Sequence, residues 1–288
     1  MKRRFRWLLL FLVFLCVGAS VAMAPTEATT PPMAEIGDSC SPAAPLAITW
    51  SPKEFECPVC KTKNIFLVWG SYGSYIYEFP SKYQLVFWPY TDDAAWYSCK
   101  KCRLTIFMGD FDTIPAEKIA ELRKTLEATT LPRQLERSPK ESMEHPPYLE
   151  IPMSAKLAVA ERVYRSLGLT DDDFWNHFYR VQGYHSSKPA EGDQARQKSI
   201  AITEKLLADK ANDGRRKELL YVLGAMRHFV GNDPGALKAF EEAGTLIYDR
   251  KELKAEQNKN YNEYLSKLIN EYAEMVRKGE GPRQKNLR

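Results

Sequence analysis

The sequence predicts an α+β chain of several domains: a small β-rich part built around a cysteine cluster, followed by an all-α part of repeated helices. Two observations carry this. Two Cys-x-x-Cys pairs, Cys57-Pro58-Val59-Cys60 and Cys99-Lys100-Lys101-Cys102, stand beside short aromatic and β-branched runs. From Met153 onward, apolar residues instead recur at three- and four-residue spacing almost to the end of the chain.

At the N-terminus, Lys2, Arg3, Arg4 and Arg6 precede an uncharged stretch from Trp7 to Ala24, richest between Leu8 and Val17, that ends Ala22-Met23-Ala24. A basic start, a short apolar run and an Ala-x-Ala end predict an export signal over residues 1–24, cut after Ala24. The alternative is an uncleaved N-terminal membrane anchor, because the stretch approaches the length that spans a bilayer. Cys16 follows Phe14-Leu15 where a lipoprotein signal needs small residues, so lipidation is not expected. The Leu and Phe run is also more apolar than a twin-arginine signal built on Arg3-Arg4 would be. The chain is therefore expected in the periplasm or outside the cell.

Cleavage would change the charge. The full chain has 41 basic and 37 acidic residues, and the four bases before Arg6 and at it leave with the signal. The balanced remainder gives no support for a nucleic-acid partner or an anionic membrane surface, both of which need a basic face, and neither is expected. No second run is apolar and long enough to span a membrane.

Residues 25–52 carry Pro25, Pro31, Pro32, Pro42, Pro45 and Pro52 among Thr, Ala and Ser, and predict a linker. Residues 53–128 form the β-rich domain and a helix. Ile65 to Trp69, Tyr75 to Phe79 and Tyr83 to Trp88 predict strands, separated by Gly70, Gly73, Pro80 and Pro89. Thr113 and Pro115 open the helix, with Ile119, Leu122 and Leu126 on one face. Residues 129–152, with Pro139, Pro146, Pro147 and Pro152 among charges, predict a second linker.

Residues 153–278 form the helical domain. Leu157, Ala160, Val163, Tyr164 and Leu167 mark its first helix, with Gly168 as the stop, and Asp171 to Asp173 open a second that carries Phe174, Trp175, Phe178 and Tyr179. Between Lys217 and Asp249, Leu220, Leu223, Gly224, Gly231, Ala236, Phe240 and Ala243 match the small and large positions of one tetratricopeptide-like unit. Arg227 stands where that repeat prefers an aromatic. Residues 171–210 read as a degenerate preceding unit with an overlong break at Ser186-Ser187-Lys188-Pro189. A last helix over 251–278 carries Tyr261, Tyr264, Leu265, Leu268, Ile269, Tyr272, Met275 and Val276 as an apolar stripe, a cap to the array or a partner-binding face. Residues 279–288 predict a disordered basic tail.

The chemistry concentrates in Cys57, Cys60, Cys99 and Cys102. Two short loops that each aim two sulfurs at one ion complete a closed tetrahedral shell, and Pro58 is common inside such loops, so the first expectation is a structural, zinc-ribbon-like Zn²⁺ site. Thiolates also hold iron, which leaves a rubredoxin-like electron-transfer centre open. Disulfides or thiol redox chemistry are the third reading, since export permits oxidation and Cys40 makes the mature count odd. A thioredoxin-type active site would place a helix after Cys57; Lys61-Thr62-Lys63-Asn64 and a β-like run follow instead.

His145, His177, His185 and His228 have no metal-helix spacing, and no phosphate loop, nucleophile elbow or His-Glu-x-x-His occurs. No catalytic or cofactor-binding residues are predicted beyond the metal ligands. Among Tyr72, Tyr75, Tyr77, Tyr83, Trp88, Tyr90, Trp96 and Tyr97, strand packing accounts for most rings; an aromatic surface for a glycan or peptide is the alternative. Asp92-Asp93 reads as a solvated turn.

Cys57-Pro58-Val59-Cys60, Trp96-Tyr97-Ser98-Cys99-Lys100-Lys101-Cys102 and Gly109-Asp110-Phe111 leading into a helix, followed by tetratricopeptide-like helices, resemble a family of uncharacterised bacterial proteins. These pair a split Cys-x-x-Cys zinc-binding region with helical repeats. The resemblance runs from Lys53 to Leu246, and Lys101-Cys102-Arg103-Leu104 departs from the second Cys-Pro-x-Cys, often followed by Gly-Tyr, that the family carries. It implies a metal-stabilised binding module that engages a protein or peptide through its helices, and no known activity.

Overall fold

The structure is a computed structural model that describes residues 49–71, 92–129 and 147–281. These all fall within one compact unit, Pro45–Arg288. The expected signal, nearly all of the first linker, and the predicted strands at 75–79 and 83–88 lie outside the described residues. So do His145 and most of the basic tail.

Two antiparallel hairpins form the β-rich part. Strand β1 (Thr49–Glu56) pairs with β2 (Lys63–Ser71), with Phe55 opposite Asn64 and Pro52 opposite Leu67. Strand β3 (Trp96–Ser98) pairs with β4 (Thr105–Phe107), with Trp96 opposite Phe107. Strand β1 thus starts at Thr49, inside the span read as linker. Pro52 is tolerated because its pair is of the kind that exchanges no backbone hydrogen bonds: Leu67 N donates to Tyr148 Oη at 2.8 Å, and Leu67 O accepts from Tyr97 Oη at 2.9 Å.

Helix α1 (Ile119–Glu127) follows two short 3₁₀ turns and buries Leu122 and Leu126, the face its spacing predicts. Helix α2 (Met153–Ser166) buries Leu157, Ala160, Val163 and Tyr164. It ends as expected at Gly168, whose φ of +77° lets Leu169 N donate to Tyr164 O and Gly168 N to Arg165 O. Asp171 caps α3 (Asp172–His185) by accepting from Phe174 N at 3.0 Å.

Helix α4 (Pro189–Ala208) begins at Pro189, so the proline read as part of a long break opens a helix instead. Helices α5 (Arg216–Phe229) and α6 (Asp233–Gly244) form a hairpin that turns at Gly231, with Asn232 capping α6. Gly224 lets them approach, since a Cβ there would lie 2.5 Å from Phe240 Cε1. Arg227, in place of an aromatic, spans α4 to α6 by donating to Glu204 Oε1 and Gly235 O. Helix α7 (Ala255–Arg277) lays Leu265, Leu268, Ile269, Tyr272 and Val276 on this pair. Each of α3 to α7 packs on its neighbour in the chain. Among the described residues no helix is long and apolar enough to cross a membrane.

The apolar interior divides into two cores. The first runs from Cys57 through the hairpins, α1 and α2 to Val181 of α3; the second runs from Ile200 to Val276. Residues 130–146, the middle of the expected second linker, lie outside the described residues, and Leu126 before them and Tyr148 after them belong to the same core. Aromatic rings join the parts. Phe66 stacks on Tyr97 at 4.2 Å and meets Phe111 and Tyr148 edge-on at 5.1 Å, while Trp96 meets Phe178 of α3 at 5.9 Å. Trp96 and Tyr97 are thus core residues; the other aromatics of residues 72–90 are not described.

Candidate metal centre

The tips of the two hairpins carry the four cysteines, and their loops are built alike. In the first, Cys57 N donates to Thr62 O and Lys61 N to Cys57 O, both at 2.9 Å; in the second, Cys99 N donates to Leu104 O at 2.9 Å and Arg103 N to Cys99 O at 3.0 Å. The residue after each second cysteine takes the left-handed conformation, Lys61 at φ 59° and Arg103 at φ 65°. Each loop folds tightly enough to aim both its sulfurs to one side.

The structure brings together all four predicted ligands and no other His, Cys or acidic group among the described residues. Their sulfurs lie within 4.8 Å of one another. Sulfurs meet across the loops, Cys57 to Cys102 and Cys60 to Cys99 each at 3.5 Å. A disulfide needs about 2.05 Å, so none of the four is bridged. A tetrahedral ion bonded to four thiolates at about 2.3 Å sets its sulfurs about 3.8 Å apart, so the cluster has the size and donor set of a metal centre.

Cys57 and Cys99 are completely buried, while Cys60 and Cys102 are half-buried. Packing thiols this closely divides their proton affinities. Hydrogen bonds from Cys102 and Cys57 hold Cys99 well below the ordinary thiol range, and hydrogen bonds to Cys57 and Cys99, with burial, push Cys102 far above it. Four neighbouring thiolates need a cation to coexist.

Two contributors to the centre, Asn64 and Arg123, and a buried lysine beside Asp93 escaped the sequence reading. Asn64, 2 % exposed, donates from Nδ2 to Thr62 O at 2.8 Å, approaches Cys99 Sγ at 3.6 Å, and accepts from Lys100 N at 2.9 Å. Arg123 of α1 donates to Val59 O at 3.2 Å, which ties the first loop to the helix. Lys156 is buried at the start of α2. Its Nζ donates to Asp93 O at 2.7 Å and lies 3.8 Å from Asp93 Oδ1 and 5.2 Å from the Tyr148 ring centroid. Asp92-Asp93 is therefore more than a solvated turn: Asp92 caps Ala94 N, and Asp93 receives the lysine.

Among the described residues, His177, His185 and His228 are not part of the cluster. His228 Nδ1 pairs with Asp233 Oδ1 at 2.6 Å, and burial, helped by Arg180, drives the His177 pKa well below its ordinary value. Searches against protein-family models, curated proteins and solved structures each return no match to the chain.

Proposed function

We propose that this chain is an exported, non-enzymatic scaffold. A structural Zn²⁺ held by Cys57, Cys60, Cys99 and Cys102 fixes two zinc-ribbon-like hairpins, and a tetratricopeptide-like helical array offers a groove to a protein or peptide. The proximity of the four sulfurs, two from each hairpin tip, carries the reading. Four thiolates fill a tetrahedral shell and leave no open position for substrate or water, which favours structural support over catalysis. The close fit of Gly224 against Phe240 and the buried Ala236, Ala239 and Ala243 support the repeat-like reading of α5 and α6. The reading extends to the family of split Cys-x-x-Cys proteins with helical repeats, and to a chain delivered across the membrane by residues 1–24, with that segment cut or kept as an anchor.

Metal analysis of the purified protein, with thiol titration before and after chelation, tests this. One zinc per chain and four thiols that react only after chelation are expected. One iron with a rubredoxin-like absorption, or a pair of thiols that cycles readily through a disulfide, would replace the scaffold with an electron-transfer or thiol-redox protein.

A further inference from the structure

We propose that Asn64 is the positioning residue of the four-cysteine centre, and that its carboxamide sets how slowly the centre gives up its metal. The inference rests on reading the cluster as a metal site, and it concerns which group outside the ligands governs retention.

The orientation of the carboxamide follows from its partners. Lys100 N–H can only donate, so the atom 2.9 Å from it must be Oδ1. Nδ2 then faces Thr62 O at 2.8 Å and Cys99 Sγ at 3.6 Å, one N–H for each. A single side chain thus bonds to the backbone of both loops and reaches a buried ligand sulfur. Donors aimed at a ligand orient it and stabilise its anionic form, and removing such an outer group weakens metal binding by about 10–100-fold.

The two loops share their internal hydrogen bonds but differ at their second position. Pro58 in the first loop has no N–H, whereas Lys100, its counterpart, has one, and that N–H is the donor that Asn64 accepts. The second loop thereby keeps a donor that a proline would remove, and the strand leading from the first loop takes it. Asn64 sits directly opposite Phe55 in the hairpin and is 2 % exposed, so water does not compete for either end of the amide.

The test uses the zinc-loaded full chain and the rate of zinc transfer to excess chelator. It compares wild type with Asn64→Ala, which removes both functions, Asn64→Asp, which keeps the acceptor but not the donors, and Lys100→Pro, which leaves Asn64 in place without its partner. Release is expected to quicken about 10–100-fold in Asn64→Ala. Lys100→Pro, which alters no buried side chain, is expected to quicken it by about tenfold. The double variant should release no faster than Asn64→Ala alone, since both substitutions break one link. Cobalt in place of zinc should show a shifted thiolate-to-metal charge-transfer band in Asn64→Asp, a signal that a merely space-filling role would leave unmoved. Release rates within twofold of wild type, or effects of Asn64→Ala and Lys100→Pro that multiply, would overturn the role of Asn64 while leaving the centre itself intact. A wild-type chain that takes up neither zinc nor cobalt would overturn both readings.

Discussion

Lys61 and Arg103 occupy the same backbone position, one residue past the second cysteine of each loop, and both hold a left-handed φ that L side chains avoid. The conformation costs a non-glycine residue about 1–2 kcal/mol, and it persists because it turns the chain back so that Thr62 O and Leu104 O accept from the N–H of the first cysteine of their loops. Lys61→Gly should raise stability by up to about 1 kcal/mol, after allowing for the freedom glycine adds to the unfolded chain. The Lys61–Glu56 ion pair it removes is exposed on both sides and contributes little. Lys61→Val should lower stability by about as much, and denaturant midpoints of the three proteins check the order.

Cys99→Ser should abolish metal uptake and loosen the hairpins. Because the first core continues into α2 and α3, the loss should reach those helices as well, while the core of α5 to α7 retains its protection. Amide hydrogen exchange resolved along the chain distinguishes this from a loss confined to residues before 129. Chelation of the wild type should reproduce the same pattern.

Gly224→Ala sets two effects against each other. Alanine favours a helix interior by about 1 kcal/mol, but its Cβ would sit 2.5 Å from the Phe240 ring. Overpacking of this kind costs about 1–3 kcal/mol, and with Phe240 itself buried the clash should win. The melting temperature is expected to fall, and Gly224→Ala combined with Phe240→Leu should recover part of the loss.

Lys156 gives the fold a defined pH dependence. Burial pulls its pKa from 10.5 down to about 8, partly offset by Asp93. The folded value lies below the unfolded one, so the unfolded chain binds more protons between the two, and stability rises with pH across that window. Below about pH 8 the cost of the buried ammonium is present in full. Measured against Lys156→Met, which cannot titrate, the wild type should gain stability on going from neutral pH to about pH 9. A difference that stays constant with pH would show that the ammonium does not titrate there.

What could be read from the sequence was what depends on spacing. The cluster of four cysteines, the faces of α1 to α3, the stop at Gly168 and the small-to-large fit of Gly224 with Phe240 all follow from local periodicity or motif. What could not be read depends on partners distant in the chain. Pro52 looked like linker because its tolerance in β1 rests on Tyr97 and Tyr148 taking the backbone groups of Leu67. Neither Asn64 nor Lys156 stands in a motif or periodic pattern that marks it. Their roles arise only where a second hairpin or a 3₁₀ turn is brought against them.

The edge-on contact of Trp96 with Phe178 puts the second hairpin and α3 in one core. With an ion held as proposed, thermodynamic reciprocity would make the affinity of the cysteines for it and the integrity of α3 two measures of one folding equilibrium. A void opened at Phe178, far along the chain from any ligand, would register as weakened metal binding, and an ion seated between the hairpins would register as protection in the helix.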